Sequence, residues 1–273
     1  MVNEALTKYY LRRIVVSGLV LIATLWVMTP FVISIIYAFA DPVQYYSREV
    51  VLPWRYTIEH IRQLLSLGAS QAILNSVIVA LLTILFSFAL GLPAGYAFAR
   101  YTFKGRDSLK LLIIGLRMFP IIVIAVPLVT LYIKIGLNDT LLGVALAHTS
   151  MALPFVVLIT SSIFASIPKD LEEAGLVFGL TRTQVFLRIT MPLALPGLTA
   201  AAIFTFIMSW NEVFIAAVLT LTNRTLPAFI LTQAMAATDF IKFAASFIMV
   251  LPAMIFMLIA RKYLVTMWGI TLR

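Results

Sequence analysis

The sequence predicts an all-α, polytopic membrane protein with six transmembrane helices and a polar helical elbow on its cytoplasmic side. Three observations carry that prediction. First, 62% of the 273 residues are hydrophobic and only 11% are charged, with a mean hydropathy of +1.06, a balance that excludes a soluble globular domain. Second, six apolar stretches approach or exceed the roughly 20 residues that a spanning helix needs. Third, the cations alternate along the chain. Of the 20 Lys and Arg, 13 fall on one side of these stretches, 6 on the other, and Arg117 lies inside one. By the positive-inside bias, both termini and the elbow are cytoplasmic. The formal charge of +9 is therefore read as topology, not as a surface for nucleic acid.

The first stretch, Ile14 to Ala40, follows Lys8, Arg12 and Arg13. Ala38-Phe39-Ala40 imitates a signal-peptidase site, but the apolar run far exceeds the roughly 7 to 15 residues of a signal core, so it is expected to be a retained anchor. Asp41 to Ala72 is the longest external segment, with room for one short surface helix around 58–67. The second stretch, Ile73 to Phe98, leads into the basic loop of Arg100, Lys104, Arg106 and Lys110. Leu109 to Ile133 is the third stretch and carries Arg117; Leu141 to Phe164 is the fourth and carries His148, Thr149 and Ser150. Leu193 to Leu221, the fifth, contains Trp210-Asn211-Glu212, and Phe243 to Ala260, the sixth, precedes Arg261, Lys262 and Arg273. Prolines and glycines inside the stretches, among them Gly91, Pro93, Gly95, Pro120 and Pro196, predict kinks and close-packing points in a bent bundle. Charges in hydrocarbon are costly and ask for a reason. Arg117 and Glu212 are thus either buried partners in assembly or positions on a transport path, while His148, Thr149 and Ser150 read as polar glue.

The elbow runs from Pro168 to Pro192. Pro168 suits a first helical turn, and Asp170, Glu172 and Glu173 follow where carboxylates favour the helix dipole. Leu171, Ala174, Gly175 and Phe178 share one helical face, and Gly179 supplies the left-handed stop. Thr181 and Gln184 form a capping box that opens a second short helix, with Val185, Phe186 and Ile189 on its apolar side as far as Pro192.

Several chemistries are excluded. No Gly-Lys pair occurs anywhere, so the chain has no phosphate-binding loop of the G-x-x-x-x-G-K-[ST] type. Cysteine is absent, which removes disulfides, thiolate metal sites and cysteine nucleophiles. His60 and His148 lie on different segments without an H-E-x-x-H arrangement, and no serine sits in G-x-S-x-G. No catalytic set and no metal site are expected. A stand-alone secondary carrier would need an ion-coupling acid, and Glu212 is the sole acidic residue within the six stretches.

The elbow also resembles the cytoplasmic signature of permease subunits from binding-protein-dependent ABC importers: E-A-A, three residues, G, nine residues, I, one residue, L-P. Glu173-Ala174-Gly175, Gly179, Ile189 and Met191-Pro192 stand at that spacing. Gly175 replaces the second alanine, Met191 the leucine, and Phe178 the aspartate that usually precedes the glycine. AGYAFARYTFKGR from Ala94 to Arg106, Met118-Phe119-Pro120, Pro154-Phe155 and Trp210-Asn211-Glu212 are similar to the carbohydrate permeases of the maltose and glycerol-phosphate type. The resemblance implies a non-catalytic subunit of the plasma or inner membrane that binds no cofactor itself, ATP and Mg2+ being held by a partner ATPase. It implies four kinds of partner besides membrane lipid: a second permease that is a different chain, an ATPase pair, an external sugar-binding protein and the imported sugar, or alternatively glycerol-phosphate or another polar solute. It implies that 168–192 is a coupling-helix loop in which Leu171, Glu173, Ala174, Gly175, Phe178, Gly179, Ile189 and Pro192 meet the ATPase, and that Arg117, Trp210, Asn211 and Glu212 are candidates for the substrate path. The expected organisation is an N-terminal segment with the first helix and external loop (1–70), a permease core (71–264) and a cytoplasmic tail (265–273).

Overall fold

The computed structural model describes residues 2–46 and 52–267. Arg48, Arg273 and the tail from 268 lie outside the described residues, as do the side chains of Lys8, Arg261 and Lys262. Thirteen α-helices follow one another among the described residues. They are α1 (Val2–Ala38), α2 (Pro42–Tyr46), α3 (Glu59–Leu64), α4 (Ser70–Arg100), α5 (Arg106–Leu116), α6 (Ile121–Ile135) and α7 (Leu141–Ser166). After these come α8 (Lys169–Val177), α9 (Arg182–Val185), α10 (Met191–Trp210), α11 (Phe214–Leu219), α12 (Leu226–Thr232) and α13 (Asp239–Met267). The chain forms two compact units, Met1–Leu67 with Ala234–Val250, and Gly68–Gln233 with Leu251–Arg273.

In the first unit, α1 leaves its apolar side chains exposed from Tyr9 to Ile33, and none of its most apolar window is buried, while its end at Ala38 is buried. A helix apolar all round belongs in lipid or against another chain. Beyond it, the backbone pairs at Ala40 and Tyr56. His60 Nε2 lies 2.9 Å from the Ala40 carbonyl, and its ring stacks on Phe240 at 4.6 Å.

The second unit is built on α4 and α7. Thr83, Ser87, Gly91 and Gly95 recur every fourth residue on α4 and are all buried, so they form one stripe of small side chains. Helices in lipid associate by close packing at such stripes. Here the approach is so close that a Cβ on Gly91 would lie 2.6 Å from Val156 Cγ1, and one on Gly95 2.0 Å from Thr160 Oγ1. One end of this unit is tied by Asp139, whose carboxylate accepts from the backbone N–H groups of Leu221, Thr222 and Asn223 at 2.8–3.0 Å. Burial alone would raise its pKa, but these bonds and the Thr222 hydroxyl outweigh it and hold the carboxyl below its ordinary value.

Among the described residues, four helices are long and apolar enough to cross a membrane, and a fifth span arises if one bent pair is counted together. Six were expected. The expected sixth stretch lies in α13, whose side chains are described only in part. The third expected span is not one continuous helix: α5 and α6 meet at 87°. The cause is Pro120, which caps α6 in an extended conformation, lacks an N–H, and disfavours a helical Phe119 before it. The fifth expected span also breaks, α10 ending at Trp210 and α11 starting at Phe214. Conversely, the elbow's second helix does not stop at Pro192. It continues from Arg182 to Trp210 through a wide turn at Phe186–Thr190, which interrupts the hydrogen-bond ladder where Pro192 could not have donated.

The α4–α7 contact generates a prediction. Gly95→Ala lowers the stability of the detergent-solubilised chain by about 1–3 kcal/mol through overpacking, despite alanine's better helix propensity. Gly115→Ala on α5, where nothing lies within 4 Å of the added methyl, leaves it unchanged or raises it. Thermal unfolding midpoints of the two variants check this directly.

Candidate coupling elbow and transport path

The elbow begins at Pro168, extended at φ −56° and ψ 131°, and α8 ends in a left-handed Gly179 at φ +87°. Leu180 N–H donates to Gly175 O at 3.1 Å and Gly179 N–H to Leu176 O at 3.0 Å, the paired closure of a Schellman motif. The predicted capping box is present: Gln184 N–H donates to Thr181 Oγ1 at 3.3 Å, and Thr181 N–H to Gln184 Oε1 at 2.9 Å. Two stops of opposite kind therefore fix the angle between α8 and α9.

The single apolar face expected for α8 is divided in the structure. Gly175 turns inward, and a Cβ there would lie 2.5 Å from Ile189 Cδ1 and 3.1 Å from Val185 Cγ2. Glycine in place of the pattern's alanine is thus what lets α8 lie against the start of the following helix. Leu171, Glu173, Ala174 and Phe178 turn outward with Gly179. Pro192 is also exposed, at the start of α10. Val177 is 85% and Phe178 87% exposed, so the tip of the elbow is an apolar pair that the chain itself leaves uncovered. Val177 carried no signal in the sequence beyond its place next to the turn.

The residue that sequence reasoning missed is Glu172, read there only as an acid in the first helical turn. It is buried at 8% exposure and forms an ion pair with Arg100 at 2.7 Å. Its carboxylate also accepts from Arg100 Nε at 2.8 Å, Tyr96 OH at 2.8 Å and Thr190 Oγ1 at 2.9 Å. Arg100 Nη2 donates in turn to Ile167 O at 3.0 Å, just before the elbow. One carboxylate thereby joins the end of α4, the start of the elbow and the wide turn leading into α10. Burial pushes Glu172 toward a higher pKa, but the hydrogen bonds from Arg100, Tyr96 and Thr190 prevail and hold it below its ordinary 4.5. Tyr96 is itself edge-on to Phe164 and Phe186, at 5.6 and 4.8 Å, so the polar knot has an aromatic wall.

The four path candidates do not converge on one point. Trp210 is 1% exposed and belongs to the core, Asn211 is exposed, and Glu212 is partly buried. Glu212 closes the break between α10 and α11 by accepting from Ile215 N–H at 2.9 Å and Ala216 N–H at 3.0 Å. His148, fully buried on α7, places Nε2 3.2 Å from Glu212 Oε2 and Nδ1 2.8 Å from Ser209 Oγ. Every atom is satisfied if Nε2–H donates to the carboxylate and the serine hydroxyl donates to Nδ1. Irregular backbone at membrane depth is tolerated only where its polar groups are met, and Glu212 with His148 meets them here. Arg117 stands elsewhere, at the 87° bend, with its guanidinium 3.1 Å from the centroid of the Phe155 ring on α7. That contact is a cation–π interaction, and Arg117, Met118 and Phe119 are exposed around it.

Comparison with known proteins places these features in a family. The family described as binding-protein-dependent transport system inner membrane component matches residues 88–266. The trehalose transport system permease protein SugB of Mycobacterium tuberculosis (strain CDC 1551 / Oshkosh) is 39% identical over 159 residues, which are 58% of this chain and 58% of that protein. That alignment thus spans little more than half of the relative's length. The trehalose/maltose transport system permease protein MalG of Thermococcus litoralis is 30% identical over 263 residues, covering 93% of this chain and 94% of that one. Among solved structures, a bacterial ABC transporter involved in the import of the acidic polysaccharide alginate has the same fold. Its TM-score is 0.76 at 19% identity, with 92% of this chain and 95% of that chain covered.

The Glu172 knot makes a pH-dependent prediction. Because its folded pKa is depressed, its contribution is complete above the ordinary value of 4.5 and disappears as the pH falls through the folded value. Glu172→Gln lowers stability by about 2 kcal/mol at pH 7, and the gap between variant and wild type narrows below about pH 4.5. Unfolding midpoints of both proteins from pH 7 to pH 3 measure it.

Proposed function

Since the chain belongs to the family of binding-protein-dependent transport system inner membrane components, we propose that it is the permease subunit of an ATP-driven importer of sugars. In that role it is a non-catalytic, multi-pass membrane component, and ATP is hydrolysed with Mg2+ on a separate ATPase pair. A second permease, a different chain, completes the pathway, and an external binding protein delivers the sugar. Both termini and the elbow face the cytoplasm. Residues 1–70 serve as the N-terminal anchor and external loop, 71–264 as the permease core and 265–273 as a cytoplasmic tail. The trehalose and trehalose/maltose permeases among its relatives favour a sugar as the substrate.

One observation supports the coupling role above the others. The elbow is apolar at its exposed tip, Val177 and Phe178, and polar and buried at its root, Glu172 with Arg100. The tip offers what a partner protein would bury. A lipid-surface helix would instead carry Lys and Arg beside its apolar face, whereas α8 exposes two acids, Asp170 and Glu173, against one cation, Lys169. The root supplies what a lever needs, because a push on the tip reaches α4 through a charged pair and not through a loose loop. Arg117 at the bend and Asn211 at the α10–α11 break are the exposed candidates on the path, while Trp210 and Glu212 position the break.

Full burial of a Val or Phe side chain is worth about 1.5–3 kcal/mol. Replacing both Val177 and Phe178 by Ser therefore weakens docking of the ATPase by roughly a hundredfold or more, while membrane insertion and thermal stability stay within about 0.5 kcal/mol of wild type. Co-purification of the ATPase and sugar-stimulated ATP hydrolysis in proteoliposomes report both arms. Full uptake with a catalytically dead ATPase would refute the importer reading itself.

A further inference from the structure

We propose that the turn between α4 and α5, together with Arg182 of α9, is a binding site for the phosphate of an anionic lipid headgroup. The helix ending at Arg100 is a membrane span, and the next apolar side chains belong to α5, so the residues between them lie where the chain leaves and re-enters the hydrocarbon. Tyr101 and Phe103 are 42% and 40% exposed there, in the manner of aromatic anchors at a bilayer interface.

The charges are arranged around them. Arg100 is committed to Glu172. Lys104 lies on the turn, Arg106 and Lys110 in the first part of α5, and Arg182 Nη1 reaches the turn by donating to Tyr101 OH at 3.2 Å. The acids near them are Asp107, in the first turn of α5, and Glu173, which lines a neighbouring cleft with Arg182 and Lys169, so cations outnumber the carboxylates along this stretch, and Arg106 is the one that lines the cleft beside the turn. Thr102, Phe103, Gly105, Arg106, Asp107 and Ser108 line a cleft of about 370 Å3. Arg106 donates from Nη2 to Phe98 O, which fixes its guanidinium at the cleft, yet its buried Nε has no hydrogen-bond partner among the described residues. Lys110 Nζ lies 5.8 Å from the Phe98 ring centroid.

This arrangement suits a phosphate held at a membrane boundary. The Arg106 guanidinium at the cleft and the ammonium groups of Lys104 and Lys110 near it in sequence supply the charge, the hydroxyls of Thr102 and Ser108 supply further donors, and the exposed Leu111 and Leu112 of α5 offer apolar surface for acyl chains. Free phosphate shares the anionic chemistry but leaves that apolar surface unused. A basic cluster directly outside a span attracts anionic headgroups at about 1 kcal/mol per cation. Through Tyr101 and Arg182, a bound headgroup would touch the second helix of the elbow.

The test is native mass spectrometry of the purified full chain with phosphatidylglycerol or phosphatidylcholine of identical acyl chains. The proposal predicts that phosphatidylglycerol is retained in preference to phosphatidylcholine, and that Lys104→Gln/Lys110→Gln weakens its binding on the order of 30-fold. Lys104→Gln alone, at an exposed position, keeps the fold and still weakens binding about fivefold. Displacement of the lipid by millimolar inorganic phosphate would assign recognition to phosphate alone, and retention would assign it to the whole lipid. Equal retention of the two lipids by wild type, or an unchanged preference in both variants, would overturn the proposal. No transport reading enters this measurement, so its result is independent of the importer function.

Discussion

The buried ion pair between Arg100 and Glu172 is the interaction on which the placement of the elbow against α4 and α10 depends. Removing two charges from water is costly and is repaid only where geometry and further hydrogen bonds are good. Both conditions hold: the pair is 2.7 Å apart, and Tyr96, Thr190 and the Ile167 carbonyl add hydrogen bonds to it. Such a knot adds little stability beyond what an apolar replacement could give. What it adds is a defined angle. The elbow cannot slide along α4 without stranding a carboxylate or a guanidinium.

The same economy governs the rest of the second unit. Small residues on α4 bring α7 into near-backbone contact, and the two helix breaks, at Arg117 to Pro120 and at Asn211-Glu212-Val213, sit against α7 through Arg117 on Phe155 and Glu212 on His148. The α4–α7 pair is thus a continuous support, and the bent helices beside it carry the breaks. Breaks in spans are where irregular backbone can line an aqueous path, and of the four path candidates Arg117 and Asn211 are the exposed ones at them.

Much of this was legible in the sequence because it rests on local physics. Hydrophobic length marked the helices, and Pro168, Gly179, Thr181 and Gln184 marked the elbow's two ends through capping rules that need only neighbouring residues. Three things were not legible. The bend at Pro120 was marked by its proline, but not its 87° angle, because a membrane proline can kink a helix slightly or break it. The inward turn of Gly175 depends on Ile189 and Val185, contacts that only the folded elbow creates. The pairing of Glu172 with Arg100 joins residues 72 apart, and an acid in a first helical turn looks the same whether it caps a dipole or anchors a lever. His148 shows the same gap: its value as the partner of Glu212 lies across 64 residues.

The central claim is that elbow and α4 move as one body. The absence of cysteine from all 273 residues allows clean paired spin labels at Thr183 on the elbow and Leu90 on α4, both exposed, in the assembled transporter. Pulsed electron–electron resonance with and without ATP is the most direct measurement. The account predicts one narrow distance distribution that nucleotide does not shift in wild type and that broadens in Glu172→Gln. A wild-type distance that changes by several ångströms when ATP binds would contradict it.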